Sequence, residues 1–124
     1  MTQLLAIAAG GSIGALMRYL VSSGIHTWLG RGFPYGTLVV NIVGSLFMGL
    51  LYELFLQRLS VSPDVKAILL VGFLGAFTTF STFSIETVQL MEQGDLFKAI
   101  INILASVILC VLAAWCGLQI ARAL

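Results

Sequence analysis

Apolar residues dominate four segments, at about residues 3–29, 37–57, 64–92 and 96–121, the third uncharged from Ala67 to Ile85 and continuing as an exposed helix to Glu92, while turn residues fall between the segments and most charges at or near their ends. A bilayer core asks for about 20 apolar residues per helical crossing, so each segment predicts one span. The expected fold is an all-α integral membrane protein of four transmembrane helices, with residues 1–124 as one membrane domain. The stretch from Gly30 to Gly36, with Pro34 inside it, reads as a turn. Ser62-Pro63-Asp64 supplies an N-cap, a proline at the first helical position and an acid in the first turn for the third span. Gly94 stops that span and Asp95 caps the fourth.

One stretch departs from this plain pattern. From Gly72 to Glu86 the chain places five hydroxyl residues (Thr78, Thr79, Ser81, Thr82, Ser84) and four phenylalanines around two glycines and ends on a carboxylate. Gly75 and the adjacent Thr78 and Thr79 are weak helix formers in mid-span, so the third helix is expected to break near its middle. A break at that depth is tolerated only where it is buried in protein or lines a cavity. Half-helix ends there offer carbonyls to a cation and N–H groups to an anion, and either ion is served.

Composition sharpens the class. The chain is 60% hydrophobic and 9% charged, with a mean hydropathy of +1.08, whereas soluble domains carry about 25% charged residues. No soluble catalytic domain fits between the spans, and no nucleophile, base and oxyanion grouping is present, so no enzyme is expected. The six Lys and Arg are scattered singly, which argues against a nucleic-acid surface. The first segment lacks a basic start and a cleavage site and is expected to be a retained span. Cys110 and Cys116, six residues apart, do not share a helical face; no disulfide is expected, and Cys116 reads as a small core residue.

Polar residues inside the other spans are few and spaced in helical register. Gly10 with Gly14, and Gly11 with Ala15, mark a close-packing face on the first span, and Ser45 with Gly49 continue one on the second. Arg18 either snorkels to the interface or faces a wet cavity. Thr37 and Asn41 share a face; Asn41 either bonds a neighbouring helix or donates its amide protons to an anion. Asn102, Ser106 and Cys110, spaced by four, form a weakly polar stripe on the fourth span. The acids lie at or beyond span ends, so no mid-membrane carboxylate is available for proton-coupled export. Phe80 and Phe83 are near neighbours on a helix, and the positive ring edge can face a small anion without trapping it. Arg58, Lys66 and Arg122 fall on one side of the membrane, Arg31 and Lys98 on the other with Arg18 leaning that way, so the instruction for orientation is weak and an antiparallel pair can form.

The chain resembles the Fluc (CrcB) family of bacterial fluoride channels. The resemblance rests on Gly10-Gly11-Ser12-Ile13-Gly14-Ala15 with Arg18-Tyr19, on Gly36-Thr37-Leu38-Val39-Val40-Asn41, and above all on Gly72 to Gly75 followed by Thr78-Thr79-Phe80-Ser81-Thr82-Phe83-Ser84 and Glu86. It implies an antiparallel, dual-topology homodimer in the bacterial inner membrane, exporting fluoride passively from the cytoplasm around a structural Na⁺. By that resemblance Gly75 and Thr78 give backbone carbonyls to Na⁺, Phe80 and Phe83 line the pathway, Asn41 donates to the ion, and Thr37, Ser81, Thr82 and Ser106 continue it. Asn102 stands where relatives can carry an aromatic hydroxyl and Cys110 where they can carry a serine. Glu86 is awkward beside an anion path and must be turned aside by a hydroxyl or a cation, or carry a proton. Of two other readings, a small dual-topology multidrug exporter shares the four short spans and weak charge bias but needs a titratable membrane carboxylate, which the first span lacks, and a non-transporting assembly subunit explains the glycine faces but leaves the hydroxyl-rich break without a role.

Overall fold

In the computed structural model, residues 2–124 are described; the side chain of Arg58 and all of Met1 lie outside the described residues. Among the described residues every regular element is a helix. In order come α1 (Thr2–Leu29), α2 (Tyr35–Glu53) extended by a π-helical turn (Leu54–Arg58), α3 (Pro63–Lys66), a π-helical stretch (Ala67–Leu74), α4 (Gly75–Phe77), α5 (Phe80–Glu92) and α6 (Leu96–Ala123). Among the described residues these make four rods long and apolar enough to cross a membrane: Thr2–Leu29, Tyr35–Gln57, Pro63–Glu92 and Leu96–Ala123. A helix pairs its interior backbone groups within itself, which is why lipid-facing apolar runs adopt it.

The ends follow local chemistry. Gly30 and Gly94 both take φ +84°, the left-handed conformation that ends α1 and α5 without a Cβ penalty. Ser62 accepts a hydrogen bond from the Val65 amide at 3.2 Å, with Pro63 at the first helical position. Asp95 holds the N-cap position of α6, yet its side chain makes no capping bond: its ψ of 60° departs from the extended backbone that aims a cap at the helix amides.

Two helix pairs build the bundle. α1 lies against the π-helical stretch and α4, and α2 lies along α6. Glycines set both distances. A Cβ at Gly10 would strike the Ile68 carbonyl and one at Gly14 the Phe73 carbonyl, while Gly72 brings its own backbone against Ile7 and Gly11 of α1. Gly49 and Gly117 do the same between α2 and α6, against Ala114 and Leu46. In lipid, association depends on such packing rather than on hydrophobic expulsion from water. At the far ends of this second pair, Arg122 Nε reaches the largely buried Glu53 carboxylate at 3.2 Å. Cys110 is half-buried and Cys116 exposed, both as free thiols; Cys116 therefore faces outward and is not the core residue its apolar neighbours suggested.

Candidate functional site

The third rod is interrupted, three residues later than Gly75. Gly75 is still helical, at φ −61° and ψ −36°. The chain leaves the helix at Thr78 (φ −85°, ψ 159°) and Thr79 (φ −153°, ψ 120°), then re-enters at Phe80. Ending one helix and starting another leaves carbonyls on the first and amides on the second without intrahelical partners. Several of these groups are met from within the chain. Thr78 returns its hydroxyl and its amide to the Leu74 carbonyl at 3.0 and 3.1 Å. Thr79 caps α5, its Oγ1 accepting from the Thr82 amide at 3.2 Å.

The remaining partner comes from another helix. Asn41 on α2 accepts the Thr79 amide proton at Oδ1 (2.8 Å) and donates from Nδ2 to the Thr79 carbonyl (3.0 Å). This two-point bond replaces, for one residue, the helix ladder that the break removes. It also decides between the two readings of Asn41 for most of its capacity. The amide bonds a neighbouring helix, and one of its two Nδ2 protons remains for a ligand. α2 can come this near because Gly44 faces Thr78 and Phe77 without a side chain of its own.

Beside the break lies a cavity of about 400 Å³ whose walls come from α2, α5 and α6. Its polar groups are Asn41, Ser45, Thr78, Thr79, Ser106 and Cys110, and its rings are Phe80 and Phe83. The rings lie 5.3 Å apart, tilted by 45°. Phe83 is buried, but Phe80 is 77% exposed, so the cavity opens toward whatever covers that face. A second cavity, about 180 Å³, lies at the α1–α2 turn between His26, Arg31 and Pro34 on one side and Glu86, Gln89, Leu90 and Gln93 of α5 on the other. Glu86 Oε1 is buried there without a hydrogen-bond partner among the described residues. Lys98 ties the start of α6 to the same turn by donating to the Gly32 carbonyl at 3.3 Å.

A family model described as CrcB-like protein, Camphor Resistance (CrcB), matches residues 5–118. The chain belongs to the CrcB family. Among its relatives, the fluoride-specific ion channel FluC of Magnetococcus marinus is 56% identical over 120 residues, covering 97% of this chain and 98% of that protein. FluC of Geobacter sulfurreducens is 48% identical over the whole of both chains. FluC of Methylococcus capsulatus is 54% identical over 98% of this chain, which spans only 53% of that longer protein. These CrcB-family relatives are named for ion conduction and not for catalysis.

Measured against this CrcB-family chain, the residues singled out in the sequence divide into three groups. Asn41, Phe80, Phe83, Ser106, Cys110 and Thr78 come together on the larger cavity. Glu86 borders the smaller one. Thr37, Ser81, Thr82 and Asn102 border neither: Thr37 and Asn102 are buried in the packing, Ser81 is exposed, and Thr82 joins the Thr79 cap with its hydroxyl at 3.1 Å. Gly75 is exposed beside the break, and a Cβ there would meet only the Leu70 carbonyl oxygen at 3.8 Å, so the backbone on that side is unobstructed. Sequence reading missed Thr87. It lies beyond the hydroxyl-rich run, near the end of the third segment, yet it is 4% exposed and bonded to Asn102.

Proposed function

We propose that this chain is a fluoride-selective channel of the bacterial inner membrane, passing the ion passively out of the cytoplasm, with the whole chain as one membrane domain. The observation that carries this reading is the larger cavity. It is bordered by hydroxyls, a thiol, one amide proton of Asn41 and two phenyl rings, and among the described residues no carboxylate or lysine borders it. Neutral donors and ring edges hold an anion weakly enough to release it, as conduction requires. Asn41, Phe80, Phe83 and Ser106 are the pathway residues on this wall, with Cys110 as a weaker donor. Thr37, Ser81, Thr82, Asn102 and Glu86 belong, on this reading, to its approaches and supports. The relatives named as fluoride-specific channels support the choice of ion.

The working unit is an antiparallel homodimer with a structural Na⁺ at its centre. Gly75 and Thr78 fit such an ion as far as one chain can. A helix ending at Phe77 leaves its last carbonyls without intrahelical donors, and the open face at Gly75 lets a ligand approach them. Hard cations take about six oxygen ligands, more than this pair supplies, so a second copy would have to contribute its own.

Proteoliposomes loaded with fluoride and chloride, and followed with ion-selective electrodes, test the reading. Fluoride is expected to leave far faster than chloride without any proton gradient. Equal release of the two ions overturns the selectivity, and no release overturns conduction.

A further inference from the structure

We infer that Thr87 fixes the direction of the Ser106 hydroxyl and so sets how tightly the larger cavity holds an anion; the inference rests on the conduction pathway proposed above. Three buried side chains join α6 to α5 in one line of hydrogen bonds. Ser106 Oγ donates to Asn102 Oδ1 at 3.4 Å, Asn102 Nδ2 donates to Thr87 Oγ1 at 2.9 Å, and Thr87 Oγ1 donates to the Phe83 carbonyl at 2.7 Å. Ser106, Asn102 and Thr87 are only 7%, 2% and 4% exposed, so water does not stand in for these partners. Ser106 and Phe83 both border the cavity. The line therefore leaves the cavity wall at one residue and returns to it at another.

Its polarity follows from counting protons. A hydroxyl has one proton and an amide oxygen has none. Thr87 places its proton on the Phe83 carbonyl, so toward Asn102 it can only accept. That turns the Asn102 NH₂ group to Thr87 and its oxygen to Ser106. The Ser106 proton consequently points away from the cavity, and the lone pairs left facing inward repel an anion. To bind one, the hydroxyl must rotate and give up its bond to Asn102. At 3.4 Å that bond lies beyond the usual range and is weak, so rotation is cheap. Ser106 is a donor on demand.

Removing the Thr87 hydroxyl removes the reason for this polarity. With valine at that position, the Asn102 amide does better turned over, because its NH₂ then donates to Ser106 Oγ and only a carbonyl oxygen is left short of a partner. Short carbonyls are the more tolerable deficit. Ser106 then accepts from Asn102, and its own proton stands permanently toward the cavity. An anion is held more tightly and leaves more slowly. Thr87 and Asn102 are in this sense positioning residues, acting on the ion through Ser106.

The test measures fluoride release from proteoliposomes over a range of fluoride concentrations, with assembly checked by size-exclusion chromatography. Thr87→Val is expected to lower the half-saturating concentration about two- to threefold, the worth of the weak Ser106–Asn102 bond that the ion no longer has to displace, and to lower the maximal rate with it. Thr87→Ser keeps the hydroxyl and should match the unsubstituted chain. In a Ser106→Ala background, Thr87→Val should change nothing. Asn102→Leu also frees the Ser106 proton and should shift half-saturation the same way, which carries the test should Thr87→Val fail to assemble. An unshifted half-saturation in an assembled variant, or a shift that persists in Ser106→Ala, overturns the inference. Fluoride release by the unsubstituted chain together with that result leaves the channel reading standing; no release at all overturns both.

Discussion

Asn41 carries two loads, and two substitutions are expected to separate them. The first load is structural: its amide is the partner of both backbone groups of Thr79, at 2.8 and 3.0 Å. Asn41→Leu orphans both in a half-buried place at mid-span, at about 1–3 kcal/mol each, or about 2–6 kcal/mol together. The second load belongs to the proposed pathway. Asn41→Asp keeps an oxygen for the Thr79 amide and loses only the bond to the carbonyl, an effect of about 1–3 kcal/mol. An ionised aspartate would, however, repel an anion about 4 Å away by about 4 kcal/mol at an effective dielectric of 20, which reduces occupancy about a thousandfold. The order of severity thus reverses between assays. In detergent melting and size-exclusion chromatography, Asn41→Leu should be the more damaged. In fluoride release, Asn41→Asp should be nearly silent while still assembled. Release by Asn41→Asp within about threefold of the unsubstituted chain, under 1 kcal/mol, would remove Asn41 from the ion path. An unchanged melting temperature for Asn41→Leu would remove it from the support of the break.

Phe80→Ile should suppress fluoride release with the oligomer intact, since it keeps apolar bulk and removes the ring that borders the cavity; unaltered release would take that ring out of the pathway. Gly14→Ala should lower the melting temperature by the equivalent of about 1–3 kcal/mol, because its new methyl meets the Phe73 backbone carbonyl, which cannot swing aside. Gly24→Ala on the same helix meets nothing within 4 Å and should be neutral or stabilising by up to about 1 kcal/mol, so equal losses in the two variants would refute the packing account.

The spans and their ends were legible in the sequence because lipid and backbone dictate them locally: long apolar runs, Gly30 and Gly94 at positive φ, and the Ser62 cap all lie where their residue types require. The α6 stripe was legible as well, since a spacing of four needs only helical geometry to place Asn102, Ser106 and Cys110 on one side. What depended on a second helix was not. Gly75 has the weak propensity of a break point, yet it stays helical. The chain departs at Thr78 because Asn41, 38 residues earlier, offers its amide to Thr79. The π-helical stretch from Ala67 to Leu74, which lies against α1, leaves no local mark. Thr87 escaped notice because its importance is conferred by Asn102.

One chain leaves on its surface what lipid does not accept. Gly75 and Ser81 are exposed, and Thr78 and Thr79 are only half-buried. These residues surround a break at the centre of the span from Pro63 to Glu92, where backbone outside a helix must be covered by protein. The antiparallel pair proposed above would supply that cover. A two-fold axis in the membrane plane carries each depth to its opposite, so only mid-membrane features meet their own copies, and the break is such a feature. The near balance of positive charge across the membrane would let the chain insert both ways and supply both partners. With Cys110 and Cys116 changed to serine, a single cysteine at Gly75→Cys should cross-link to itself under mild oxidation in membranes. One at the span end, Val65→Cys, should not. A parallel pair would bring both positions against their copies, so efficient cross-linking at Val65→Cys would refute the antiparallel arrangement and with it a cation shared between two opposed breaks.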